Sequence, residues 1–575
     1  MLDMAIRGGH VVDGTGAPRH RADIGIEGGR IVAIGDADDV GPARETVDAT
    51  DLVVTPGFVD VHSHFDAQVF WDPALTPSSL HGVTTALAGN CGFTLAPMDD
   101  ESLDYLVRML AVMEGMPLDA LRAGVPGNWR STADYLDRVD GALAINAGFM
   151  VGHSALRRVV MGPAANEREA TDDEIDKMRA LLAQGLEAGG LGFSSSWGAA
   201  HFDGDGRPVP SRFASRDELI ALASVCRDHP GTSLEFLPSR VDRFDDGELD
   251  LLSTMSRSAQ RPLNWNVVRI SPANPREAEE AIAAARHARE HGARVVVLNM
   301  PIPSRSRFSF KTGFVLDALP DWGEVMALPV DERIRALREP EVRARLAAGV
   351  AKAKGGLAEI ADFGNREILQ TFSPDVKQYE GRLVADIARE RGVSPLDALL
   401  DIVCDDGLQT MFARPTVEPT KEDWDASVAA WRDGTAIIGA SDAGAHLDFT
   451  AYFDYPVYVL QKAVREQGAL SFEEAVHFMT DVPARLYGLV DRGRIGVGAF
   501  ADLVVLDEAE VASGEIAMRF DLPAGAGRLY SEPKGIHRVV VNGTTVVDQH
   551  GLTGARPGTL LRSGRDTRTP SLSAV

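Results

Sequence analysis

Two histidines make the clearest chemical signal in this chain. The run PGFVDVHSHFD at 56–66 is an apolar strand that ends in His62-x-His64. Side chains two residues apart on a strand point to the same side. Both imidazoles can therefore meet one metal ion, for which neutral imidazole is a common ligand. A second run, AIIGASDAGAHLD at 436–448, is an apolar strand that ends in Asp442. A carboxylate there can serve a metal or take a proton, and the competing role is a helix N-cap before Ala-Gly-Ala. His446 and Asp448 follow within the same loop. Further polar groups follow other apolar runs: His153 and Arg157 in MVGHSALRR, and His201 and Arg212 in SSSWGAAHFDGDGRPVPSR. They are candidates for meeting substrate, and an arginine fork matches a carboxylate. For His201 and Arg212 the competing role is a plain surface residue; for His153 it is a supporting place behind the metal ligands, and for Arg157 a structural one.

Strand ends carry these groups, so the strands must converge. Short apolar runs alternate with helical patterns through the middle of the chain. The runs are GFVDVHSH, GVTTALAGN, AINAGFMVG, GLGFSS, TSLEFLP, PLNWNVVRI, ARVVVLNM and TAIIGASD. Helical patterns include DDESLDYLVRMLAVM, TDDEIDKMRALLAQGLEAG, SRDELIALASVCRDH, NPREAEEAIAAARHAREHG and SPLDALLDIVC. This alternation predicts an α/β fold with a parallel sheet. About eight runs favour a (β/α)8 TIM-like barrel, which needs about 250 residues, with insertions filling the remainder.

Residues 1–55 and 490–560 read differently. Both are rich in short alternating strands and Gly-rich turns. VNGT in HRVVVNGTTVVDQHG is a tight hairpin turn. We expect the two ends to form one small β-sandwich beside a barrel at 56–489. Residues 301–380, rich in Pro, Arg and aromatics, are the expected insertion or lid. The polar tail 562–575 is expected to be disordered.

Composition excludes several classes. Hydrophobic residues at 45% and charged residues at 25% fit a globular protein rather than a disordered or collagen-like one. The net charge of −26 argues against non-specific nucleic-acid binding, which needs Lys and Arg to displace counterions. No apolar run approaches the roughly 18 residues that span a bilayer, and the first residues lack a signal-peptide core. Three cysteines, Cys91, Cys226 and Cys404, are too few for a disulfide framework. The expected setting is the reducing cytoplasm. Cys226 and Cys404 lie in helical patterns and read as inert.

VVTPGFVDVHSH resembles the first barrel strand of the amidohydrolase superfamily, metal-dependent hydrolases on a (β/α)8 barrel. The likeness runs nearly end to end, through RGGHVVDGTG, GGRIVAIG and the closing RGRIGVGAFADLVVLD. The run GNCGF within GVTTALAGNCGFTLAP (82–97) narrows it to the N-acyl-D-amino-acid deacylases. The resemblance implies that Cys91 is a metal ligand where many relatives use a carboxylated lysine. It implies that Asp442 binds metal and is the general base toward water. His153 and Arg157 fall in a VGH…LR motif similar to one in the deacylases.

Two departures stand out. TSLEFLPSR and PLNWNVVRIS lack the histidines that deacylases of this type offer to a tightly held metal. Glu235 stands near the first of those positions and is a candidate oxygen ligand. Asn266 or Val267 is nearest the second, and Arg269 follows where relatives have a lysine thought to help hold the substrate carboxylate. The implied site is one zinc on His62, His64 and Asp442, with Cys91 and Glu235 as further candidates and no complete second set. The implied activity is hydrolysis of N-acyl-D-amino acids, small-molecule substrates. Hydrolysis of cyclic amides, imides or lactones is the alternative, and a non-catalytic assembly role is a third.

Overall fold

The computed structural model describes residues 1–240, 243–313 and 315–573. Each of the eight apolar runs contains a strand. Phe58–Ser63, Val83–Ala88 and Asn146–Phe149 pair in parallel. After Met150 the chain resumes as Val151–Gly152, which joins a second parallel set. That set continues through Gly192–Ser196, Ser233–Leu237, Leu263–Val268, Val295–Asn299 and Ala436–Ile438. Most of these strands are buried throughout, as expected when helices cover a parallel sheet.

The first and last parallel strands also meet. Asp442 N donates to His62 O at 3.2 Å and His64 N to Ala443 O at 2.7 Å. Ser63 and Ala443 form a parallel bridge. The loop carrying Asp442 is thereby stitched to the strand carrying the histidine pair.

The chain ends share one nine-stranded sheet. Its seam is the antiparallel pairing of Val53–Pro56 with Leu503–Leu506. The VNGT hairpin is present: Val541 pairs with Thr544, and Asn542 and Gly543 both have positive φ. Ile6, Ile24, Ile26, Val54, Leu503 and Val540 belong to its own apolar core.

Two expectations need correction. The excursion between the last two parallel strands is longer than 301–380. A separate core joins Phe308, Trp322, Leu337 and Leu346 to Leu399, Val403 and Phe412. The helix Pro395–Asp405 therefore packs within the insertion, because the apolar period of a helix does not specify its partner. The tail 562–573 is not disordered, and its last two residues lie outside the described ones. Arg562 donates to Ala188 O at 2.7 Å and to Asp137 at 2.9 Å. Thr567 is buried and donates to Gly231 O at 2.6 Å. Polar side chains anchor this segment by hydrogen bonds rather than by an apolar face, a pattern that composition does not reveal.

Candidate metal centre

The histidine pair sits at the end of a fully buried strand, so its neighbours are set by strand packing. His62 and His64 meet edge to face, with ring centroids 5.2 Å apart. Asp442 Oδ1 lies 3.1 Å from His64 Nε2 and 3.7 Å from His62 Nε2. Cys91 Sγ lies 3.7 Å from His62 Nε2. Donor atoms of His62, His64 and Cys91 all fall within 4.8 Å of one another. The Asp442 side chain is 25% exposed, against 3% and 4% for the histidines. It faces a cavity of about 390 Å³ that all four residues line.

Unusual backbone aims these groups. Cys91 and Asp442 have φ of 55° and 54°, in the left-handed region that non-glycine residues seldom occupy. Gly444 has φ of 89°, and a Cβ there would stand 2.6 Å from His64 O. Only glycine lets the Asp442 loop close over the histidine strand.

The electrostatics follow from burial and charge. Burial, then the neighbouring His64, pushes His62 down to about 3. Burial also opposes a charge on His64, but Glu114 and Asp442 override it and raise His64 to about 9. Asp442 is likewise opposed by burial, yet the hydrogen bond and charge of His64 hold it well below the usual carboxylate range. Burial and the charges of Glu235, Glu114 and Asp442 push the Cys91 thiol up. A thiol and two imidazoles on one point, with a carboxylate beside the imidazoles, form a donor set that fits a zinc-class ion, whose charge would favour the thiolate.

Glu235 takes a different place from that of a ligand. Its Oε2 accepts from Cys91 N at 2.8 Å, and its Oε1 accepts from Asn266 Nδ2. Both oxygens are engaged by protein donors behind the thiol, and burial raises the carboxyl to about 8. Glu235 thus holds the left-handed Cys91 backbone.

Of the residues expected to touch substrate, His201 alone reaches the cavity lining. Its Nδ1 lies 2.7 Å from Ser196 Oγ, and burial with the charges of His446 and His64 lowers it to about 3. Arg212 stacks 5.1 Å from the Phe202 ring and donates to His201 O at 3.1 Å, so it braces that loop. Arg269 donates to Ile302 O at 3.0 Å and lies 3.2 Å from Met300 Sδ, turned toward the start of the insertion.

His153 and Arg157 lie in the supporting and structural places left open for them beside substrate contact. Both side chains are fully buried. His153 bonds Ser195 Oγ and Glu218 Oε1, each at 2.8 Å, and Arg157 grips both Glu218 oxygens at 2.5 Å. The motif brings together a buried charge network, which depends on a carboxylate from a distant helix.

Glu114 is the residue that sequence reasoning missed. It caps the helix Ser102–Met113 and places Oε1 3.2 Å from His64 Nδ1. Burial pushes it up to about 7, against the pull of His64. Its signal was a single acid in the apolar run AVMEGM. Asp60 is a second such residue. It accepts from Ser441 Oγ and from His62 N, the latter at 3.3 Å, and so ties the two functional strand ends together.

Residues 45–547 match the amidohydrolase family. The chain belongs to that family. Among amidohydrolases, it is 30% identical to the D-aminoacylase of Alcaligenes xylosoxydans xylosoxydans over 97% of both chains. A D-aminoacylase structure described for one-metal activation and second-metal attenuation of its binuclear centre superposes with a TM-score of 0.65. That match has 28% identity and covers 98% of this chain and all of that one. The N-acyl-D-glutamate deacylase of Bordetella bronchiseptica, complexed with zinc and a phosphonate mimic of the tetrahedral intermediate, superposes at 0.63. It shares 26% identity, covering 98% of this chain and all of that one.

Proposed function

We propose that this amidohydrolase is a zinc-dependent deacylase that cleaves the amide bond of N-acyl-D-amino acids. Its eight parallel strands would form a (β/α)8 barrel, with a sandwich built from both chain ends. One observation carries the reading: His62, His64 and Cys91 bring their donor atoms together, Asp442 stands beside the histidines, and all four line one cavity with the carboxylate the most exposed. The deacylase relatives supply the substrate class.

His62, His64, Cys91 and Asp442 would hold a zinc ion, which would supply Lewis acidity toward a carbonyl oxygen and acidify water. The protein's own groups handle the proton. Asp442 turns Oδ1 toward the histidine pair, which leaves Oδ2 to accept a proton from the attacking water and deliver it to the departing amide nitrogen. Glu235 and Asn266 occupy each other where further ligands would be needed, so we infer one metal at this centre. The unpaired, buried cysteines fit a reducing cytoplasm.

A substrate panel tests the reading. The purified protein should turn over N-acetyl-D-amino acids and leave the L forms, hydantoins, dihydropyrimidines and lactones untouched. Turnover of rings alone would overturn it.

A further inference from the structure

The outer helices carry a second group of metal-competent donors, none of which lines the cavity of the candidate centre. His287 lies in the helix Pro275–Glu290, and His291 caps its C-terminus. Four residues make about one helical turn, so the two rings share a face. Their centroids are 4.1 Å apart and their planes 27° apart. Asp250, on the neighbouring helix Asp246–Ala259, places Oδ1 2.8 Å from His287 Nε2. One donor atom from each residue lies within 4.8 Å of the others.

The tautomer and the exposure of these side chains leave donors open to a cation. His291 Nδ1 lies 2.8 Å from His287 O. A carbonyl can only accept, so Nδ1 carries the proton and the lone pair falls on Nε2. A backbone carbonyl commonly fixes a metal-binding histidine in this way. The helix C-terminus adds partial negative charge. Arg257 is held on His291 O at 3.2 Å and on Thr254 Oγ1 at 3.4 Å. Asp250 is 64% and His287 22% exposed, so solvent reaches the cluster.

We propose that His287, His291 and Asp250 bind a divalent transition-metal ion of the zinc class, separately from the candidate active centre. Two imidazoles and a carboxylate suit Zn²⁺, Ni²⁺ or Cu²⁺ over Mg²⁺ or Ca²⁺, with water as the fourth ligand. The consequence concerns stoichiometry. A content of two metals per chain would arise from two mononuclear sites rather than from a binuclear centre. This inference rests on the surface cluster alone and stands whatever the catalysed reaction proves to be.

Calorimetric titration with Zn²⁺ tests it. Protein with its centre already loaded and excess metal removed is compared with His291→Gln and with the His287→Ala/His291→Ala double variant. Wild type should take up one more Zn²⁺ per chain than the double variant. His291→Gln should bind that ion about tenfold or more weakly, as loss of one ligand demands. Hydrolytic activity and far-UV circular dichroism should be unchanged in both. His291→Gln alters an exposed side chain and keeps the test open should the double variant fold poorly. Uptake by either variant equal to wild type in amount and affinity would overturn the proposal.

Discussion

Asp442 Oδ1 stands 3.1 Å from His64 Nε2, although the two residues come from opposite ends of the parallel strand series. Backbone hydrogen bonds between the same two segments fix that distance. Asp442 is therefore oriented beside the histidine pair before substrate arrives. Asp442→Asn should lower kcat by about a hundredfold or more, the scale of general-base catalysis, while circular dichroism and Tm stay near wild type. Retention of more than about a tenth of wild-type kcat would remove Asp442 from the role of base.

Burial and three carboxylates keep the proton on Cys91 until a metal displaces it. Cys91→Ser should cut metal affinity by about tenfold or more, because a hydroxyl does not ionise at this pH as a thiol beside a metal does. Chelation should abolish wild-type activity, and Zn²⁺ should restore it. Elemental analysis of dialysed protein reads the first outcome. Unchanged metal content in Cys91→Ser would show that the thiol is not a ligand.

Glu235 accepts from the Cys91 backbone rather than facing the cavity. Glu235→Ala leaves a buried N–H without its acceptor and should cost about 1–3 kcal/mol in urea unfolding. Glu235→Gln retains a carbonyl oxygen and should recover most of that loss. Metal content should be equal in Glu235→Gln and wild type. A loss of metal in Glu235→Gln would instead make Glu235 a ligand.

His153 and Glu218 give acid sensitivity with a defined sign. Burial lowers His153, and the bonds to His153 and Arg157 outweigh burial to lower Glu218. In each case the unfolded chain binds a proton that the native fold resists. Their stabilisation is complete above about pH 6.5, is eroded through His153 as pH falls below that, and through Glu218 below about pH 4.5. Tm should fall between pH 7 and pH 5, and His153→Asn should flatten that slope. A slope identical to wild type would mean that His153 titrates as it does in the unfolded chain.

Glu218→Ala tests the same network through Arg157. It strands a buried guanidinium and should cost about 3–5 kcal/mol, enough to lower soluble yield at 37 °C. Stability within about 1 kcal/mol of wild type would show that water or another acceptor takes over the role of Glu218.

Local rules made much of this protein legible. Alternation along PGFVDVHSH places His62 and His64 on one side, and apolar run length marks all eight parallel strands. VNGT announces its hairpin because the turn chemistry lies within four residues. Glu114, Asn266 and Glu235 acquire their roles only through space. Glu114 comes to His64 from an excursion after the second strand, and Glu235 comes to Cys91 from the fifth. Arg212 and Arg269 look like carboxylate binders in sequence, and only packing shows that the carbonyls of His201 and Ile302 already hold them. The sequence by itself determined the family, the strand-borne donors and the alternating α/β plan, because periodicity and ligand spacing are local. Tertiary structure decided which carboxylate faces the cavity and which lies locked behind a thiol, because burial and hydrogen-bond partners depend on distant segments.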